Sequence, residues 1–159
     1  MIAAALLLLA AQAAPPADVA QNVAWHNRQQ LALAERGAAQ GWHATVSGLR
    51  WRRIKGDGSG AHPTAADRVT VHYVGRFVDG AEFDSSVARG EPVSFPLGRV
   101  VKGWTEGVQF AGVGDTIELA IPATLAYGFK GRGPIPGGAT LIFTIELIAI
   151  AQPEPAAAP

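Results

Sequence analysis

Three stretches of this chain alternate apolar with other residues at a period of two. They are Val69, Val71 and Tyr73; Ile117, Leu119 and Ile121; and Leu141, Phe143, Ile145 and Leu147. Only an extended backbone puts every second side chain on one face, so each stretch predicts a strand with one buried face. Half-buried strands of this kind pair antiparallel. Asp79-Gly80 stands between Phe77-Val78 and Ala81–Phe83, a hairpin signal, because a tight turn there needs positive φ. Val93–Leu97 reads as a further strand and Leu49–Lys55 as a short basic one. Val100–Phe110 instead sets Val101, Trp104 and Val108 at helical spacing, one short helix weakened by two glycines. Pro122–Ala139 is a long loop rich in glycine and proline, and such a loop in a compact domain is usually functional. Together these elements predict an α+β fold, an antiparallel sheet of five to six strands with one short helix available to cover its apolar face.

The flanks read differently. Residues 18–40 hold strong helix formers and a weak apolar stripe through Val19, Val23 and Leu31, with Gly41 as the expected end. Trp25 and Leu31 are the residues expected to dock on the following domain. A single short helix buries no core of its own, so this segment is expected to be an appendage. Ile2–Ala11 is unbroken apolar sequence, the length of an export-signal core and well short of the roughly 20 residues that span a bilayer. Ala11-Gln12-Ala13 offers a cleavage site behind it, and Gln152–Pro159 is a tail of proline and alanine with no apolar pattern. The expected division is a signal peptide at 1–13, a helical extension at 14–46, the strand-rich domain at 47–151 and a disordered tail at 152–159.

Composition narrows the chemistry. Thirteen basic and thirteen acidic residues cancel, which argues against a dedicated nucleic-acid binder. Without cysteine there is no disulfide, thiol nucleophile or thiolate metal site. His26, His43, His62 and His72 show no H-x-x-x-H spacing and no carboxylate set arranged as metal ligands, so no metal site is expected. The glycines of 56–60 and 128–133 match neither a P-loop nor a dinucleotide fingerprint, and no serine sits in G-x-S-x-G. Arg50, Arg52, Arg53 and Lys55 read as a solvated strand edge. Hydrolase, NTPase and metalloenzyme readings are set aside. What remains is a set of aromatics: Tyr73, Phe83, Phe95, Trp104, Tyr127 and Phe143. Core packing accounts for Phe95 and Phe143 within their strands, less so for Trp104 at a helix start or Tyr127 in the long loop. Asp84, directly after Phe83, needs a partner if buried, and Arg89 is placed to supply it.

Three segments, VTVHYVGRFVDGAEFDSS (Val69–Ser86), PVSFPLGRVVKGWTEGVQF (Pro92–Phe110) and LAYGFKGRGPIPGGATLIFTIEL (Leu125–Leu147), resemble in order the signature of FKBP-type peptidyl-prolyl cis-trans isomerases. TVSGLRWRRIKGDGSG, with the helix and signal-like start before it, resembles the exported bacterial macrophage-infectivity-potentiator branch. The resemblance implies an FKBP-like twisted antiparallel sheet wrapped around a short helix, and an isomerase that helps exported, periplasmic proteins fold. It also implies roles, with Tyr73, Phe83, Asp84, Trp104 and Tyr127 carrying catalysis. Trp104 would be the pocket floor under the substrate proline, and Tyr73, Phe83, Phe95, Val100, Val101 and Phe143 its walls. Tyr127 would hydrogen-bond one substrate carbonyl and the Val101 N–H another. Asp84 would sit at the pocket edge and Ile135 would pack from the long loop. The implied partners are proline-containing polypeptides and macrolides such as rapamycin, with no cofactor, nucleic acid or membrane span. The extension is short beside the dimerising helices of longer relatives, so a monomer is expected. The chain departs from the pattern at Val93 and Pro134, and in a shortened Phe95–Trp104 segment. A chaperone or binding module of the same fold with little catalysis is the alternative, and the intact Tyr73, Phe83, Asp84, Trp104 and Tyr127 favour activity.

Overall fold

The alternating stretches form the centre of one antiparallel sheet. The computed structural model describes residues 22–151, so the expected signal peptide and tail lie outside the described residues. The strands are β1 (His43–Ala44), β2 (Arg50–Lys55), β3 (Arg68–Phe77), β4 (Glu82–Ser85), β5 (Val93–Pro96), β6 (Thr116–Ile121) and β7 (Leu141–Ala151). They run in the order β1-β2-β6-β7-β3-β4, with β5 also on β3. Seven strands are present where five to six were read, because β1 is a two-residue pair with no alternation to announce it. β4 and β5 share one edge of β3, β5 against Arg68–Val71 and β4 against Val74–Arg76. The helices are α1 (Val23–Ala34), α2 (Ser86–Arg89) and α3 (Lys102–Gly107).

The inward faces of β3, β6 and β7 supply Val69, Val71, Tyr73, Ile117, Leu119, Ile121, Phe143 and Ile145 to one buried cluster. α3 lies on that cluster. Its two glycines do more than weaken it. A Cβ on Gly103 would come within 2.4 Å of Ile121, and one on Gly107 within 2.6 Å of Leu119. Both glycines let the helix backbone rest directly on β6.

The segment before the sheet is not one helix from 18 to 40. α1 stops at Ala34, and a separate 3₁₀ turn at Ala38–Gln40 ends at Gly41. Trp25 packs on the main cluster as expected, but Leu31 is 55% exposed. The anchoring residue is Gln29. Its buried side-chain oxygen accepts the Thr140 N–H at 2.9 Å, and its backbone carbonyl accepts the Thr140 hydroxyl at 3.2 Å. Trp42 covers the opposite face of the sheet against Ala120 and Ile142, with the guanidinium of Arg52 4.8 Å from its ring centre. The basic run of β2 is not a free edge either. Arg52 pairs with Glu118, and Arg53 pairs with buried Asp115 at 3.0 Å, because β6 and the residue just before it bring both carboxylates alongside.

His62 closes the loop after β2. Its Nδ1 faces the Gln109 carbonyl at 2.9 Å and its Nε2 the Gly58 carbonyl at 2.8 Å. Both partners only accept, so the ring satisfies both only as the imidazolium. The bond to Gly58, then that to Gln109, raises its pKa above 6.5. A raised folded pKa gives stability that is complete below the unfolded value and is lost as pH climbs through the folded one. The urea midpoint of the wild type should therefore fall as pH rises above 6.5, and His62→Ala should remove that fall. An identical slope in the variant would mean the two bonds make no pH-dependent contribution.

Candidate active site

Trp104 stands in the first turn of α3, fully buried where the helix meets the sheet. Three rings converge on it. Tyr73 from β3 lies edge-on at 5.2 Å, Phe143 from β7 edge-on at 5.2 Å, and Phe95 from β5 tilted at 5.3 Å. Phe83 from β4 continues the set against Phe143 at 5.6 Å. Strand alternation turns Tyr73, Phe95 and Phe143 to the same side of the sheet, and the register irregularity of β4 against β3, which leaves Phe83 without a partner on β3, brings Phe83 there beside Asp84. A missing Cβ makes the room: one placed on Gly75 would meet Phe83 at 2.7 Å and Phe143 at 2.8 Å. The indole Nε1 is buried with no hydrogen-bond partner among the described residues.

Asp84 is buried beside Phe83, and it has the partner its burial requires. The Tyr73 hydroxyl donates to one carboxylate oxygen and the Arg89 guanidinium to the other, while Arg89 also donates to the Tyr73 hydroxyl at 3.1 Å. Asp84 sits at the end of β4 and Arg89 at the end of α2, so one turn of helix delivers the pair. Burial, and next the bond to Asp84, raises the Tyr73 pKa far above the usual phenol range. Sequence reasoning passed over Ser86. Its hydroxyl accepts the Tyr73 N–H at 2.7 Å and also meets His72 Nδ1 at 3.0 Å, fixing β3 to α2. The only signal for it was its place at the end of the first motif.

Val101 precedes α3, and its carbonyl takes the N–H groups of Trp104 and Thr105, leaving its own N–H outside the helical ladder. Val100 and Val101 are half-buried against the main cluster. Tyr127 and Ile135 come from the long loop, where Ile135 is buried and Tyr127 is half-buried on the same cluster. The loop closes on itself through Gly128 to Ala123 at 2.8 Å and a reciprocal pair between Arg132 and Ile135 at 2.8 and 2.9 Å. Burial pushes the Tyr127 phenol up to about 12, with Arg132 drawing it down and Asp84 adding to the rise. Its O–H therefore remains a donor at neutral pH.

All ten residues singled out from the sequence thus fall on one side of the sheet around α3 and the long loop. Among the described residues no group of three or more His, Cys, Asp or Glu could hold a metal ion, and no helix is long and apolar enough to cross a membrane. The site is a cluster of buried aromatic side chains with phenolic donors and one ion pair. Such a site suits a reaction driven by a change in polarity.

A family model described as FKBP-type peptidyl-prolyl cis-trans isomerase matches residues 59–148. The FKBP-type peptidyl-prolyl cis-trans isomerase FkpA of Aeromonas hydrophila is 49% identical over 121 residues, 76% of this chain and 45% of the relative. The FKBP-type 22 kDa peptidyl-prolyl cis-trans isomerase of Escherichia coli is 49% identical over 119 residues, 74% of this chain and 57% of the relative. The chain spans about half the length of the curated relatives it matches. The crystal structure of FkpA from Escherichia coli superposes with a TM-score of 0.74 at 39% identity, covering 87% of this chain and 62% of that one. A peptidyl-prolyl cis-trans isomerase from Pseudomonas syringae gives 0.73 at 34% identity, covering 89% of this chain and 100% of that one.

Proposed function

The chain belongs to the FKBP-type peptidyl-prolyl cis-trans isomerase family, and from that premise we propose that it accelerates rotation about Xaa-Pro peptide bonds in the aromatic enclosure built on Trp104. The observation that carries the reading is the convergence of Tyr73, Phe95 and Phe143 on that indole. The substrate proline ring rests over Trp104, walled by Tyr73, Phe83, Phe95, Val100, Val101 and Phe143. The Tyr127 hydroxyl and the Val101 N–H hold substrate carbonyls, Ile135 packs from the loop, and the Asp84–Arg89 pair fixes the orientation of Tyr73. Macrolides such as rapamycin compete for the same enclosure.

Rotation about the amide faces a barrier of about 18–20 kcal/mol because it breaks C–N resonance. It makes and breaks no covalent bond, so it calls for no nucleophile. The planar amide is strongly dipolar and the twisted one less so. Transfer from water into an apolar enclosure therefore raises the ground state more than the transition state. Removing about 5 kcal/mol gives several thousand-fold acceleration. Uncatalysed isomerisation takes about tens to hundreds of seconds, slow enough to limit folding. The apolar run Ile2–Ala11 supports export to the periplasm, where the proposed role is folding of exported proteins as a monomer.

Proton transfer has no part in this mechanism, and both site phenols stay protonated around neutrality. The expected result in a protease-coupled proline-peptide assay is a kcat/KM that is flat between about pH 6 and 8, with no solvent isotope effect of the proton-transfer kind. A bell-shaped profile would contradict it. Stable peptide binding without acceleration would instead support the chaperone reading.

A further inference from the structure

Between α1 and the body of the domain lies a cavity of about 210 Å³. Trp25 lines one side, Phe77 and Val78 at the β3–β4 turn another, and Pro134 and Pro136 of the long loop a third. Arg28 and Asp79 also line it and supply one charge of each sign. Its volume is below the roughly 300–1,000 Å³ of sites that hold drug-sized ligands and suits a single apolar side chain.

Two features join this cavity to the proposed active site. Phe77 packs on Phe83 at 4.9 Å, so one pair of rings forms the partition between them. In the long loop Ile135 belongs to the main cluster, while its neighbours Pro134 and Pro136 line the cavity. α1 is held at this place by the Gln29–Thr140 bonds at the loop's end. The ring centres of Phe143 and Phe83 stand 5.6 Å apart and those of Phe83 and Phe77 4.9 Å apart, so the span from Phe143 to Phe77 is at most about 10.5 Å, within reach of roughly three residues of extended chain.

We propose that this cavity is an extension subsite of the isomerase, taking an apolar side chain of the substrate polypeptide three or four residues from the isomerised proline. The assignment rests on the isomerase reading above. The occupant is the substrate itself: Phe77 of the cavity packs on Phe83 of the proposed site and Pro134 and Pro136 flank Ile135, the apolar ring surfaces match a leucine or phenylalanine, and the two opposite charges leave the flanking substrate residues without a preferred sign. α1 thereby becomes part of substrate recognition.

The test uses twelve-residue peptides with one proline in a serine-alanine background and a single leucine moved along the chain, with cis–trans exchange followed by NMR. The wild type should gain about three- to tenfold in kcat/KM when the leucine stands three or four residues from proline on one side. Val78→Lys and Arg28→Trp, which fill the cavity from opposite sides, should each abolish that gain. Both should keep the leucine-free rate within about twofold. A gain of equal size in both variants, or no dependence on leucine position in an active wild type, would overturn the subsite alone. A wild type that does not accelerate the leucine-free peptide would overturn the isomerase reading and the subsite with it.

Discussion

Trp104→Leu is expected to lose about 2–3 kcal/mol of stability and at least tenfold in kcat/KM. The indole is completely buried and meets Tyr73, Phe95 and Phe143 at ring separations of 5.2 to 5.3 Å. Two of those contacts are edge-on, and aromatic pairs contribute about 0.5–1.5 kcal/mol each beyond their buried area. Leucine keeps the apolar character but fills less volume, so the surrounding rings lose a partner on one side and a cavity remains. The same substitution removes the flat surface proposed to lie under the substrate proline, so stability and activity should fall together. Urea denaturation and the proline-peptide assay read the two effects separately. A fully stable variant would mean the three rings do not depend on the indole, and a fully active one would move the reaction elsewhere.

Asp84→Ala is expected to cost about 2–3 kcal/mol, with Asp84→Asn losing less. Alanine leaves the Tyr73 hydroxyl and the Arg89 guanidinium without their common acceptor, and the Asp84 side chain is only 5% exposed. Arg89, at 33%, regains some water, which keeps the cost below that of a fully buried broken pair. Activity should fall about tenfold, or 1.4 kcal/mol, as Tyr73 loses its fixed orientation. Asparagine can still accept from Tyr73 and should recover most of the stability. Equal losses in the two variants would show that the charge, and not the acceptor geometry, is what Tyr73 needs.

Much of the sheet was legible because alternation is a local signal. The inward sets of β3, β6 and β7 could be named from spacing alone, and so could the turn that joins β3 to β4. The pairing of Asp84 with Arg89 was legible for a related reason: a carboxylate among core-facing residues demands a partner, and one stood a helical turn away. Convergence of the aromatics on Trp104 came from the family resemblance and not from spacing, since β3, β5, β7 and α3 meet only through long-range pairing. The close approach of β6 to the glycines of α3 was not legible, because a helix propensity says nothing of how close the neighbouring strand must come. The Gln29–Thr140 bond spans 111 residues and leaves no mark in either local sequence. The same holds for Trp42, whose buried position against Ala120 and Ile142 depends on the far face of a sheet that sequence reading treated as solvent-facing. The acidic partners of Arg52 and Arg53 depend on the register of β2 against β6, which the basic run alone could not reveal.

The central claim is that Xaa-Pro rotation happens over Trp104, and one NMR titration tests it directly. A proline peptide is added to protein labelled with ¹⁵N, while peptide cis–trans exchange and the protein's Trp104 indole and Val101 amide signals are followed together. The account predicts exchange accelerated by several thousand-fold at saturation, with both protein signals shifting along one binding curve. Exchange at the uncatalysed rate, or acceleration with those two signals unmoved, would contradict it.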